Sequence, residues 1–276
     1  MPNSQLGYTS PVSVSGAQKQ SFLEFAERAI VAAGAAALPY FRTDLEVENK
    51  LSDGQFDPVT QADRAVEQRL REAIHAELPE HGIYGEEFGH ESGNGLTWVI
   101  DPIDGTRAFM TGMLHWGTLL ALFDGQQPIV GAMYQPYVGD LFLGDNSSAW
   151  FVRQGKRRPL RTSACESLAD AVLATTGTGW FPADKLACFD RLEPQVKMTR
   201  VGGDCYVHAL VAMGGIDLAT DASLQTYDIQ GLMPIVRGAG GVVTGYEGED
   251  VSLGGTVLCS ANETLHRKAL EVLQGE

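Results

Sequence analysis

An unbroken run of β-forming residues, Leu96-Thr97-Trp98-Val99-Ile100, leads directly into Asp101-Pro102-Ile103-Asp104-Gly105-Thr106. β-Branched and aromatic residues packed this densely predict a buried strand. The chain must therefore fold so that two aspartates emerge at the carboxyl end of a core strand, where sheets of α/β proteins hold their ligands. An ordinary surface turn would not need an apolar strand behind it.

Two more carboxylate segments precede this one. Asp57-Pro58-Val59-Thr60-Gln61-Ala62-Asp63 lies just before a helical stretch, and Gly85-Glu86-Glu87 falls in a glycine-rich loop. Each alone reads as a turn, a helix cap or a surface loop. Their occurrence in one order, within a short stretch of chain, points to a shared site. Oxygen-only donors select a hard cation such as Mg²⁺, and no His or Cys cluster offers a zinc alternative. Two such ions can bind a phosphate and activate water near neutral pH. Gly105 and Thr106 are placed to open a helix whose free amides face that phosphate. The Asp-x-Asp-Gly-Thr motif of haloacid-dehalogenase phosphatases is a poor match, because its aspartates are two residues apart and these are three.

Composition narrows the classes. The 276 residues carry 20 Lys+Arg against 35 Asp+Glu, a formal charge of −15. That balance disfavours nucleic-acid binding and a polybasic membrane anchor. No apolar run approaches the roughly 20 residues of a membrane span. Four cysteines, widely and irregularly spaced, read as buried reduced thiols, and the polar N-terminus lacks the apolar segment of a signal peptide. A cytoplasmic protein is expected.

Helical spacing predicts helices over Ser21–Phe41, capped by Ser21 with Glu24, and over Asp63–Leu78. Strands are expected at Leu96–Ile100, Trp116–Phe123, Ile129–Tyr134, Leu141–Leu143 and Trp150–Val152. In the second half, helices near Lys185–Leu192, Tyr206–Met213, Ile229–Arg237 and Thr264–Leu273 alternate with short strands near Ala171–Ala174, Asp217–Thr220, Gly241–Thr244 and Val257–Cys259, an α/β pattern. Residues 1–20 are expected to be a flexible extension, 21–152 an α+β lobe carrying the metal motifs, and 153–276 an α/β lobe, with Arg153–Pro159 as the junction.

The Asp-Pro-Ile-Asp-Gly-Thr and Gly-Glu-Glu segments, with the Asp57–Asp63 segment ahead of them, resemble the inositol monophosphatase family of Mg²⁺-dependent, lithium-sensitive phosphatases, over nearly the whole chain from about Ser21. The resemblance implies a layered α-β-α-β-α sandwich and, as is common in the family, a homodimer. It implies two or three Mg²⁺ ions. Glu86, Asp101 and the Ile103 carbonyl would hold the first, and Asp101, Asp104 and Asp228 the second. Asp57 and Thr106 would orient the attacking water, with Glu86 contributing to catalysis. Asp104 with the Gly105 and Thr106 amides would hold the phosphate. Around Asp228 the family usually has Trp-Asp-x-Ala, so Tyr227 and Gln230 depart from it.

Thr106-Arg107-Ala108-Phe109, Trp116-Gly117-Thr118-Leu119 and Gly202-Gly203-Asp204-Cys205-Tyr206 are most similar to the histidinol-phosphate phosphatase branch. Histidinol phosphate carries an ammonium and an imidazole, and the Asp204 carboxylate is suited to pair with them. Asp204 equally suits a helix N-cap. Gly203, Asp204 and Asp221 are the expected substrate contacts, with Asp221 shorter than the glutamate the family often has there. The expectation is a phosphomonoesterase acting on histidinol phosphate. The alternatives are an inositol or sugar monophosphate phosphatase, or a non-catalytic metal-binding regulator.

Overall fold

The computed structural model describes residues 6–42, 47–49 and 58–275. Helix α1 (Gly16–Gly34) comes first, continued by a 3-10 turn over Ala35–Tyr40. Strands β1 (Val47–Asn49) and β2 (Pro58–Thr60) pair with each other ahead of helix α2 (Gln61–Glu77). An eight-stranded sheet follows, built from β3 (Gly82–Gly85), β4 (Gly89–Glu91), β5 (Thr97–Asp104), β6 (Gly117–Phe123), β7 (Pro128–Gln135), β8 (Asp140–Gly144), β9 (Ala149–Arg153) and β10 (Lys156–Pro159). Its order is β10-β9-β8-β7-β6-β5-β3-β4, antiparallel except for the parallel β3–β5 pair. Helix α3 (Thr106–Met110) lies between β5 and β6.

The second sheet holds β11 (Val172–Thr175), β12 (Met198–Val201), β13 (Leu218–Leu224), β14 (Val242–Thr244) and β15 (Gly255–Ser260), in the order β12-β11-β13-β15-β14. Helices α4 (Ala183–Leu192), α5 (Cys205–Ala212), α6 (Thr226–Gln230), α7 (Met233–Gly238) and α8 (Glu263–Gln274) complete the chain.

Three apolar clusters make five layers of these elements. Alternation along β6 sends Leu120 and Leu122 to a core shared with α1 and α2, while Leu119 faces the other way. Leu119, Met133 and Phe142 meet Val207 and Val211 of α5 and Met233 and Ile235 of α7, which also cover Ala219 and Cys259 of the second sheet. Leu173, Leu218 and Leu258 on that sheet's outer face meet α4 and α8. The result is an α-β-α-β-α sandwich with α5, α6 and α7 in its middle layer. The middle layer sits close, since a Cβ on Gly131 of β7 would collide with the Gly231 carbonyl and stand 2.9 Å from Pro234 Cδ.

Several local expectations shift. Helix α1 starts at Gly16, not Ser21. Its cap is Ser15, whose Oγ accepts from the Gln18 amide at 3.3 Å while Gln18 Oε1 accepts from the Ser15 amide at 3.0 Å. Gly16 to Gln20 carry no large apolar side chain, so hydrophobic spacing could not register them. Ahead of the helix, the Thr9 and Val12 amides donate to the Gly125 and Asp124 carbonyls, both at 2.8 Å, and Tyr8 Oη donates to Asp250 at 2.7 Å. From residue 6 onward the expected flexible extension is thus packed on the β6–β7 hairpin. Arg153–Pro159, expected as a lobe junction, is the β9–β10 edge of the first sheet. The single helix expected over Ile229–Arg237 is split into α6 and α7. Pro234 is tolerated near the start of α7, but in a continuous helix its ring would clash with the Gln230 carbonyl.

Candidate active site

Strand β5 aims the aspartates by breaking its own ladder. Asp101 pairs with Leu119 and Asp104 with Gly117, so β5 carries one more residue than β6 in that interval. Residues three apart on a regular strand face opposite sides, and the bulge restores both to one side. Pro102 at the bulge has no amide to leave unsatisfied, and its carbonyl accepts from Thr118 Oγ1 at 2.9 Å. Gly105 then turns the chain at φ 84 into α3, so Thr106 begins that helix and its Oγ1 donates to the Ile103 carbonyl at 3.0 Å.

Strand β3 runs parallel to β5 and ends opposite Ile100. The Glu86 amide donates to the Ile100 carbonyl at 3.3 Å, and Glu86 emerges beside Asp101. Helix α6 brings Asp228 from the middle layer, with its Oδ2 accepting from the Gln225 amide at 2.7 Å. Glu86, Asp101, Ile103, Asp104, Gly105, Thr106, Asp204, Asp221 and Asp228 line one cleft of about 450 Å³. Asp57 lies outside the described residues.

The electrostatics of the cleft call for a cation. Burial, with Glu86 and Asp104 beside it, pushes the Asp101 carboxyl well above its ordinary range. Burial does the same to Asp104, aided by Asp204 and Asp228. Asp101 Oδ1 is buried with no hydrogen-bond partner among the described residues. A buried anionic oxygen in that position is costly unless something positive meets it. Among the described residues no three His, Cys, Asp or Glu side chains already converge as a finished cage. The donor set of carboxylates and one carbonyl fits Mg²⁺.

Sequence reasoning missed the support of Glu86. Asp63, Glu67 and Arg71 recur every fourth residue on α2. All three are buried: Glu67 is 0% exposed and Arg71 6%. Glu67 accepts from Arg71 Nε at 2.8 Å and from the Glu87 and Phe88 amides at 2.7 and 3.2 Å. It thereby ties down the loop that follows β3. Truncating one partner of a buried, hydrogen-bonded ion pair costs about 3–5 kcal/mol. Glu67→Ala is therefore expected to lower the unfolding free energy by that amount in denaturant titration and to weaken Mg²⁺ binding in titration calorimetry. Unchanged stability would mean that the loop holds itself.

The expected substrate contacts divide. Asp204 does not cap α5 with its side chain. Its backbone sits at φ 45, and its Oδ2 pairs with His115 Nδ1 at 2.6 Å. Asp204 lies against Gly105, whose added Cβ would stand 3.0 Å from Asp204 Cγ. Asp221 lines the wall, but its oxygens are already engaged by Thr175 Oγ1 (3.0 Å), the Thr176 amide (2.8 Å), Thr176 Oγ1 (3.2 Å) and His208 Nε2 (3.0 Å). Burial disfavours a charged His208, yet the neighbouring Cys259 sulfur and the Asp221 carboxylate outweigh it and hold the ring's pKa up to about 10. Asp221 thus lines the cleft with its oxygens held by these groups.

Gly203 lines a neighbouring, more apolar cleft with His115. Tyr227, which replaces the family's usual Trp, lines the cleft next to Asp228 with its ring centroid 6.3 Å from that of Tyr84. Gln230 Nε2 donates to the Ser252 carbonyl at 2.7 Å. No helix among the described residues is long and apolar enough to cross a membrane.

The Inositol monophosphatase family profile matches residues 18–276. A protein named histidinol-phosphatase from Chlorobaculum parvum is 36% identical, over 92% of this chain and 95% of its own. The protein named bifunctional phosphatase IMPL2, chloroplastic, from Arabidopsis thaliana is 33% identical, over 96% of this chain and 78% of its own. Among solved structures, an inositol monophosphatase from Zymomonas mobilis superposes with a TM-score of 0.82 at 32% identity, covering 95% of this chain and 100% of that one.

Proposed function

The chain belongs to the inositol monophosphatase family of phosphatases, and from that premise we propose that it hydrolyses L-histidinol phosphate to L-histidinol and phosphate. Asp204 carries the reading. A carboxylate fixed by His115 at 2.6 Å, beside the phosphate-facing turn, complements the ammonium of an amino-alcohol phosphate. A neutral polyol gains less from that charge. The relative named histidinol-phosphatase supports the same class.

Glu86, Asp101, the Ile103 carbonyl, Asp104 and Asp228 are the residues that would hold Mg²⁺. When bound, Mg²⁺ supplies Lewis acidity toward the phosphate and acidifies water. The chain does the rest. Gly105 and Thr106 present amides to the phosphate oxygens, with Asp104 beside them. Thr106 Oγ1 and Asp57 would orient the attacking water, and the Asp57 carboxylate would accept its proton.

No protein nucleophile is needed. Burial, with Asp104 and Asp204 close by, pushes the Cys205 thiol well above its ordinary value, so this cleft-lining cysteine stays protonated. The product is free histidinol, with a homodimer as the proposed assembly.

The test compares kcat/KM for histidinol phosphate and inositol 1-phosphate in Mg²⁺. Histidinol phosphate is expected to be preferred. Asp204→Asn should raise its KM by about tenfold to a hundredfold, the worth of one charge-assisted hydrogen bond. A tenfold preference for inositol phosphate by the unmodified enzyme would instead support the inositol or sugar monophosphate reading, which the Zymomonas mobilis likeness favours.

A further inference from the structure

Beyond its carboxylates the cleft reaches a lip made of two residues that the mechanism above does not use. Trp180 ends the short turn Thr178–Trp180, lines the cleft and is 44% exposed. Arg107 directly follows Thr106 in α3 and lays its guanidinium over the indole, 4.1 Å from the ring centroid. An open indole at the mouth of a cleft is a site waiting for contact rather than part of a core.

The chain holds this plate still. The Trp180 carbonyl accepts from Ser223 Oγ at 3.0 Å, and Ser223, also on the cleft, keeps a φ of 62 that side chains rarely adopt. The next residue, Phe181, is buried in the outer core. Arg107 is fixed from the other side by the helix that starts at the phosphate-facing turn.

We propose that the Arg107–Trp180 stack is the recognition surface for a planar heteroaromatic ring on the substrate, and that it separates ring-bearing monoesters from aliphatic ones. For its substrate class the proposal rests on the reading above. A guanidinium-loaded π surface accepts one further flat group by stacking. An imidazole offers a flat π face, which a polyol lacks. Asp204 lines the same cleft, so it would meet the ammonium while the stack meets the ring.

The test uses two phosphates that differ in the ring alone, 2-(imidazol-4-yl)ethyl phosphate and propyl phosphate, assayed in Mg²⁺ with the parent enzyme, Trp180→Ala and Trp180→Phe. The parent should prefer the ring-bearing ester through a lower KM. Trp180→Ala should cut that preference about tenfold, and Trp180→Phe should retain most of it. Propyl phosphate turnover reports that the variants are folded. A parent without ring preference, an unchanged preference in Trp180→Ala, or an equal loss on both esters would overturn the proposal. Histidinol phosphate is assayed alongside. If it is not turned over while the ring preference and its loss persist, the named substrate fails and the stack stands.

Discussion

Asp101→Asn is expected to lower kcat by about a thousandfold or more while leaving the enzyme folded. Asp101 sits where burial is greatest and where the carboxylates of Glu86, Asp104, Asp228 and Asp63 all repel it. One of its oxygens is buried with no hydrogen-bond partner among the described residues, and Asp101 lines the cleft. The amide keeps the shape but removes the charge that draws a cation in.

Stability should move the other way from activity. With the metal chelated, the variant loses a repulsive buried charge and should melt no lower than the parent. With Mg²⁺ added, the parent gains stability by mass action and the variant gains far less. Thermal melts with and without Mg²⁺, beside a phosphate-release assay, read both effects. Near-parental turnover would remove Asp101 from the metal site. A melting temperature lowered in chelator would show the carboxylate to be structural.

Gly105→Ala should be nearly as damaging, and for a backbone reason. The glycine holds φ 84, and a Cβ there would approach the His115 carbonyl to 2.9 Å and Asp204 Cβ to 3.0 Å. The unfavourable φ costs about 1–2 kcal/mol. The contact adds to this, because a carbonyl in a packed turn has little room to retreat. Relief must come by rotating the turn, which swings the Thr106 amide and hydroxyl and displaces Asp204 together. Turnover is expected to fall about a hundredfold, with KM for a cationic substrate rising. Crystallography of the variant, or NMR of the His115–Asp204 pair, would show whether both moved. A folded variant with parental kinetics would show that the turn tolerates a side chain and does not position the phosphate.

Most of the carboxylates that line the cleft were legible because they are written in contiguous segments. Asp101 to Thr106 announces strand, bulge and turn in six residues, and the strand behind them is apolar throughout. The layered architecture followed from the family resemblance and from the alternation of helices and strands in the second half. What stayed hidden depends on distant parts of the chain. Nothing near Glu67 says that a charged stripe on α2 will be buried under the loop bearing Glu86. Nothing near Asp204 says that its carboxylate will turn to His115 instead of capping α5. Asp221 suited a substrate contact by position alone, and only the fold shows Thr175, Thr176 and His208 occupying it. Trp180 gave no signal, because an exposed aromatic in a short turn is read only once its neighbours are known.

The bulged end of β5 has a further consequence for how the molecule comes to be active. It supplies carboxylates from the first sheet, while Asp228 arrives on α6 in the middle layer, from a remote part of the sequence. Hairpins such as β6–β7 can form early from local contacts, but this cleft closes only when both lobes have met across α5, α6 and α7. Cation affinity should therefore be a property of the finished tertiary structure, so that an ion reports on completed folding as much as on catalysis, and partly folded chains carry no stray phosphatase activity.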